Sequence, residues 1–506
     1  MWSTLEAQGL QASGAALVVV VALLVRWLVS LHPYSGMGLS PMFGDYEAQR
    51  HWMELTFQLP VSRWYHYDLL YWGLDYPPLT AYVSYVCGAV ASIVEPALVA
   101  LDASRGYETV TSKVYMRATV LACDLVVFIP SLALLAKCIY HKQWMLRMEL
   151  LMLMLLQPAF ILIDHGHFQY NNVSLGLTTL AVACILRDYN FVGAICYCLA
   201  LNFKQMSLYY APAITFYLLA KCWYGPRFLS LFATLATAVV LTFSLLWAPF
   251  CVVSATTCVD GLAQVLHRIF PIGRGLFEDK VANVWCCLDL FLKLRQRVAS
   301  QEHLVYLCTL ATLLAFLPSI VDLLRRPPSR TRFFLSLFNC SMAFFLFSYQ
   351  VHEKSILLPL LPMTYLLSEA SLVASHFGAV ATFSMYFLLV KDGLFVPYVA
   401  GSLGYVCFGI YPYLTSSRLH ATVNVSAPGI DTDGRAGNAS SCSYDVSLCG
   451  MLVLHLVAAI VPPPAKYPHV HQYLFALYSC AHFVLALVYT TYWQWTLRDV
   501  AKGKTD

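Results

Sequence analysis

Long apolar runs separated by short polar clusters extend along the whole chain. Five of them, 12–31, 118–140, 228–249, 303–324 and 473–495, approach or exceed the ~20 residues that a helix needs to cross a bilayer. Nine shorter runs have the length of crossings in a packed bundle: 150–164, 173–187, 190–203, 207–221, 333–350, 355–369, 375–390, 394–413 and 448–465. One further run, 79–101, is also long enough to span. Counting it breaks the alternation of loops set out below, so 32–117 reads as one long loop whose second half lies in the interface or re-enters. The predicted fold is an all-α polytopic membrane protein with about 14 transmembrane helices.

Charge orients this pattern. Lysine and arginine accumulate in short cytosolic loops, and three loops here are densely basic: "HKQWMLR" (141–147), "KCWYGPR" (221–227) and "RRPPSRTR" (325–332). With all three in the cytosol, both termini are cytosolic. The polar clusters "GDYEAQRHW" (44–52), "LDYPP" (74–78), "GHFQYNN" (166–172), "NFKQM" (202–206), "RIFPIGRGLFEDK" (268–280) and "VHEK" (351–354) then share the opposite face. Polar residues at membrane depth are costly and mark functional cavities. The expected division is a catalytic membrane module over 1–350, with non-cytosolic loops 32–117 and 250–302, followed by C-terminal helices over 351–506 that carry a polar loop at 415–447.

Composition agrees. Of 506 residues 59 % are hydrophobic and 11 % charged, against about a quarter charged in soluble domains, and the mean hydropathy is +0.65. The first run lacks a small-residue cleavage site and reads as a retained helix. A net charge of +4 gives no argument for nucleic acid. The 17 cysteines show no zinc-type spacing and read mostly as small core hydrophobes, with any pairing left open. No Walker loop or GxGxxG occurs, so a soluble nucleotide is not expected.

The helix after Gly44 is amphipathic and suited to an interface. Within it Arg50 can pair with Glu47 or Glu54, which leaves Asp45 either as a helix N-cap or as a catalytic carboxylate. Asp75, held before two prolines, is a turn residue or a substrate contact. Asp164, His165, His167, Gln169 and Asn171 lie within nine residues. His165 and His167 are two apart and point to different helix faces, so a hydrogen-bonding wall for a hydroxyl-rich ligand fits better than a metal. Lys204, Arg268, Arg274, Lys280, His352 and Lys354 supply cations for an anion such as a phosphate, or snorkel to lipid headgroups.

At these motifs the chain resembles a known family. "PMFGDYEAQRHW", "YWGLDYPPLTAY", "SRGYE", "GHFQYNNVSLG", "NFKQM", "RIFPIGRGLFEDKVANVWC" and "FSYQVHEKSILL" together resemble the dolichyl-phosphate-glucose alpha-1,3-glucosyltransferases of the endoplasmic reticulum. "GDYEAQRHW" and "GLFEDKVANVWC" favour the branch that adds the first glucose to lipid-linked Man9GlcNAc2 over the sister branch that adds the second. The match extends from about residue 12 to about residue 390, and loop 415–447 matches nothing in the family. The resemblance implies a GT-C glycosyltransferase bundle in the endoplasmic reticulum membrane, with a long first luminal loop that carries the catalytic carboxylate, Asp45. It implies dolichyl phosphate glucose as donor, a dolichyl-pyrophosphate-linked oligosaccharide as acceptor, and a luminal site. A beta-linked donor giving an alpha product means a single inverting displacement, with Asp45 as general base. The leaving phosphate needs cations or donors, for which His352, Lys354 and Arg274 are the candidates; His167, Gln169, Asp75 and Lys204 complete the expected substrate contacts. No metal or other cofactor is expected. The rival reading is a polyprenyl-lipid transporter or scramblase, which calls for alternating access and often internal repeats; no repeat is found. The tail "AKGKTD" places Lys502 and Lys504 like a dilysine retrieval signal, read from the cytosol.

Overall fold

A computed structural model describes residues 2–253, 257–270, 276, 280–297, 300–410 and 438–497. Each of the five runs 12–31, 118–140, 228–249, 303–324 and 473–495 falls in one long helix: Gln11–Ser30, Val110–Ile139, Phe228–Val252, Gln301–Arg325 and Val470–Thr496. The run at 150–164 falls in a pair of helices, Trp144–Leu155 and Pro158–Phe168, bent by 48°. Among the described residues five helices, or six with that pair, are long and apolar enough to cross a membrane. Shorter apolar helices follow the remaining runs, among them Asn171–Leu186, Asn190–Phe203 and Ala211–Tyr224, and no strand forms among the described residues. The chain is a polytopic membrane protein, all-helical among the described residues.

The ambiguous run 79–101 forms a helix of 17 residues, Pro78–Val94, followed by the 3₁₀ turn Pro96–Val99. Pro77 is extended and Pro78 opens the helix, the position where proline's missing N–H does no harm. This helix packs on Gly44–Gln58 so closely that a Cβ on Gly88 would come within 2.5 Å of the Met53 carbonyl oxygen.

The described chain divides into two compact units. The first comprises Met1–Leu208, Leu229–Gly273 and Leu389–Gly401; the second comprises Tyr209–Phe228, Arg274–Leu388 and Ser402–Asp506. In the first unit Arg26, in the first long helix, is fully buried and donates to Asp124 Oδ2 at 2.6 Å. Asp124 opens a π-helical turn, Asp124–Phe128, inside the Val110–Ile139 helix, a widening that is common near functional sites. A disulfide, Cys251–Cys258, joins the end of Phe228–Val252 to the start of Cys258–Ile269. In the second unit a buried polar set holds the last helix: Gln494 Nε2 donates to the Ser319 carbonyl at 3.0 Å and to Asp322 at 3.1 Å, and Asn339 donates to Gln494 Oε1 at 2.9 Å. Most of loop 415–447 and the lysines of the C-terminal tail, Lys502 and Lys504, lie outside the described residues.

Candidate active site

The segment before Asp45 is closed on itself by two glycines. Gly36 and Gly44 both have positive φ, 75° and 68°. A Cβ on Gly36 would sit 2.2 Å from the Phe43 carbonyl carbon, and one on Gly44 2.5 Å from the Ser35 carbonyl oxygen. Only glycine fits such an approach of backbone to backbone. Ser35 N–H donates to the His167 carbonyl at 3.1 Å, and Asp45 N–H reaches Ser35 Oγ at 3.4 Å. The chain around Asp45 is thereby tethered to the chain around His167.

Asp45 is not the N-cap of its helix. Phe43 holds that position, with φ 57° and no side-chain cap, and Asp45 stands in the first turn of Gly44–Gln58, where a negative charge suits the helix dipole. Its carboxylate turns to another segment. Oδ2 accepts from Gln169 Nε2 at 2.6 Å and lies 2.9 Å from His167 Nε2. The other ring nitrogen, His167 Nδ1, makes a very short bond to Asp392 Oδ2. Each nitrogen of the ring therefore faces a carboxylate oxygen, and both contacts hold it in one orientation. Of these side chains Asp45 is 23 % exposed, against 3 % for His167 and 5 % for Asp392. Asp45 is the member that can meet a ligand.

Behind Gln169 the polar array continues inward. Lys204 Nζ donates to Asn171 Oδ1 at 2.5 Å, lies 3.5 Å from Gln169 Oε1 and sits 4.9 Å from the centre of the Tyr76 ring. Asn171 Nδ2 and Asn172 N–H bind the two oxygens of Asp164 at 2.7 and 2.6 Å. Asn172 Nδ2 and His165 Nε2 both lie 3.0 Å from Asp124 Oδ2, the oxygen that Arg26 also binds. Hydrogen bonds therefore run from Asp45 to the buried Arg26. Arg117 locks the turn that carries His167, donating to the carbonyls of His165 and Gly166 at 2.6 and 3.0 Å.

The expected hydrogen-bonding wall is thus divided. His167 and Gln169 reach Asp45, whereas the fully buried Asp164 and His165 face inward. The two histidines contact different carboxylates, and among the described residues no three His, Cys, Asp or Glu side chains converge as metal ligands. Asp75 lies beside the array: its carbonyl accepts from Gln205 Nε2 at 3.3 Å, and its neighbour Tyr76 faces Lys204. Arg268 is tied to the carbonyls of Gly73 and Leu74 at 3.0 and 3.3 Å. His352 and Lys354 belong to the second unit, where His352 Nδ1 accepts from Lys354 N–H at 3.3 Å and caps the short helix Glu353–Ile356. Arg274 lies outside the described residues.

The helix that follows Asp45 corrects a second expectation. Every residue from Tyr46 to Thr56 is buried, so this helix does not present one polar face outward as an amphipathic surface helix would. Arg50 does not choose between its neighbours; it binds Glu47 at 2.6 Å and Glu54 at 2.7 Å together, and donates to Ser104 Oγ at 2.6 Å. Two carboxylates and a hydroxyl compensate the buried guanidinium. Burial raises the affinity of Glu54 for its proton, but the hydrogen bond to His51 and the charge of Arg50 outweigh it, and its pKa falls from 4.5 to about 2.

Asp392 has no counterpart among the residues singled out from sequence. It is a single acid in "VKDGLF" between two apolar runs. Its one signal was position: the eleventh crossing in the charge-based count ends just before it, on the face that also holds "GHFQYNN".

Comparison with known proteins bears on what such a site does. The profile of the ALG6, ALG8 glycosyltransferase family matches residues 22–489. The dolichyl pyrophosphate Man9GlcNAc2 alpha-1,3-glucosyltransferase of Gallus gallus is 42 % identical, over 94 % of this chain and 95 % of that one. The protein of the same name from Mus musculus is also 42 % identical, over 94 % and 95 %. The Saccharomyces cerevisiae protein is 40 % identical, over 95 % of this chain and 90 % of its own.

Proposed function

The chain belongs to the ALG6, ALG8 glycosyltransferase family, and on that premise we propose that it transfers the first glucose onto dolichyl-pyrophosphate-linked Man9GlcNAc2 in alpha-1,3 linkage, with Asp45 as its general base. The donor in this reading is dolichyl phosphate glucose. The mannose 3-hydroxyl gives its proton to the Asp45 carboxylate as its oxygen forms a bond to the glucose anomeric carbon. The bond from that carbon to the phosphate oxygen breaks, and dolichyl phosphate leaves with the electron pair. One displacement inverts the anomeric centre, so no covalent glucosyl-enzyme and no second nucleophilic carboxylate are needed.

The observation that carries this reading is the setting of Asp45. It is the exposed member of the Asp45–His167–Asp392 array, on a tethered backbone, with Gln169 and His167 holding Oδ2. Such fixed donors cost no reorganisation when charge moves. His167 and Gln169 then position the base, and Asp75 and Lys204 contact substrate; His352, Lys354 and Arg274 stay candidates for the leaving phosphate on their sequence motifs alone. A phosphate monoanion carries less charge than a nucleotide diphosphate, so no metal is assigned a step. The wider topology belongs to the same proposal: about 14 crossings in the endoplasmic reticulum membrane, a luminal site and cytosolic termini. The disulfide Cys251–Cys258 supports the luminal side for loop 250–302, because disulfides persist in oxidising compartments.

The test is an assay of purified protein with dolichyl phosphate glucose and lipid-linked Man9GlcNAc2. The expected product carries one glucose, and forms undiminished with a chelator present. Movement of lipid between leaflets without a glucosylated product would favour a scramblase. Glucosylation of the Glc1Man9GlcNAc2 lipid instead of the Man9 lipid would assign the sister reaction.

A further inference from the structure

A cavity of about 480 Å³ lies in the first unit, at the far end of the helix that carries Asp45. Its walls come from the turn Val61–Arg63 with Tyr65 and His66, from the end of the Phe228–Val252 helix, and from Cys258–Ile269. The volume is within the range of about 300–1,000 Å³ typical of small-ligand sites.

Its chemistry is layered. The floor is apolar and buried, made by Tyr65, Phe250 and Val265. The rim is polar: Ser62, Arg63, His66 and Asp260 are exposed, and Gln264 is half-buried. Gln264 Nε2 donates to the Tyr65 carbonyl at 2.9 Å, which fixes its amide in the wall. The site is braced, since the disulfide Cys251–Cys258 closes the turn between the two helices that line it. Arg63 and Asp260 bring opposite charges, so the rim does not select an anion such as a phosphate or a lipid headgroup. An acyl chain offers the polar side chains of the rim no hydrogen bond. The lining suits a neutral ligand with an apolar face and many hydroxyls.

Its position suits one as well. The helix Gly44–Gln58 has 15 residues, or about 22 Å at 1.5 Å per residue. The groove begins three residues beyond its end, at Val61. A neutral, hydroxyl-rich ligand that reacts at Asp45 and also reaches this groove must be an oligosaccharide several sugars long.

We propose that this groove binds a part of the acceptor oligosaccharide distant from the reacting mannose, and so reads the size of the glycan before glucose is added. The inference rests on the glucosyltransferase reading above. The helix Gly44–Gln58 is then a ruler: Asp45 at one end meets the hydroxyl, and the groove at the other meets sugars about 20 Å away. The reaction that supplies this substrate must be a mannosyl transfer that completes the glycan.

Two variants test it. Arg63→Ala with His66→Ala removes rim contacts from exposed positions, and Ser62→Trp fills the groove while removing none of its other side chains. Each should raise KM for lipid-linked Man9GlcNAc2 about tenfold, the effect of one or two lost hydrogen bonds, with kcat and the donor KM unchanged. With an acceptor trimmed of several mannoses, variants and wild type should have equal KM. An unchanged KM for the full acceptor, or an equal rise for donor and trimmed acceptor, overturns the proposal. A second readout does not need activity. Saturation-transfer NMR with lipid-free Man9GlcNAc2 should show contact with wild-type protein at the sugars distant from the reacting mannose, and Ser62→Trp should abolish contact at those sugars; an unchanged pattern of contacted sugars in Ser62→Trp places them elsewhere. Failure of wild-type transfer would count against the enzymatic reading, while the NMR result still decides the groove.

Discussion

His167 ties two carboxylates together, and the consequence for Asp45 follows from the ring having a partner on each side. With both ring nitrogens held by carboxylate oxygens the imidazole cannot turn, so Asp392 fixes the ring and the ring fixes Asp45. Asp392 is a positioning residue. Replacing a carboxylate directly behind a catalytic imidazole by its amide can cost about 10⁴ in kcat. Here the imidazole itself stands behind the base, one bond further from the chemistry. Asp392→Asn should therefore lower kcat by a smaller factor, about 10–100-fold, with acceptor and donor KM little changed. Asp392→Glu should restore part of the rate. A rise in both KM values with kcat preserved would assign Asp392 to substrate binding instead.

At the scale of the element, the helix Gly44–Gln58 is held in place by charge as much as by packing. The pKa of Glu54 is depressed, so its ion pairs add stability above its ordinary pKa of 4.5, and that stability is lost as pH falls towards about 2. Near-ultraviolet circular dichroism in detergent should show loss of packing around Trp52 and Trp64 across this window. Glu54→Gln should remove that part of the transition and leave a protein less stable at neutral pH, because Arg50 then keeps a single carboxylate partner. No acid transition in this window would mean that the pair contributes nothing. The same helix shows why sequence is a partial guide to burial. Its residues alternate polar and apolar as at an interface, and one-dimensional pattern cannot reveal that Glu47, Arg50, Glu54 and Ser104 bind one another inside the unit. Asp45 was legible because its motif is long; Asp392 was not, because one acid between apolar runs carries no pattern.

Across the whole molecule, the five long helices were legible because twenty apolar residues in a row leave one physical solution. Shorter runs gave helices too, but their role as crossings rests on lysine and arginine counts. Glycosylation tests that count. Asn424 and Asn438 match the acceptor sequon, yet the count puts loop 415–447 in the cytosol. Asn172 matches as well, but it is buried and donates to Asp124. Endoglycosidase treatment should leave gel mobility unchanged. A shift that disappears on mutating Asn424 and Asn438 would move that loop to the lumen and put the last third of the count off by one crossing. The most direct test of the central claim is the rate of glucose transfer by purified Asp45→Asn protein under single-turnover conditions. The substitution keeps shape and removes the proton acceptor, so transfer should fall by about 10²–10⁴-fold while binding of dolichyl phosphate glucose persists. A folded Asp45→Asn protein that transfers glucose at a near-normal rate would contradict the assignment of Asp45 as the base.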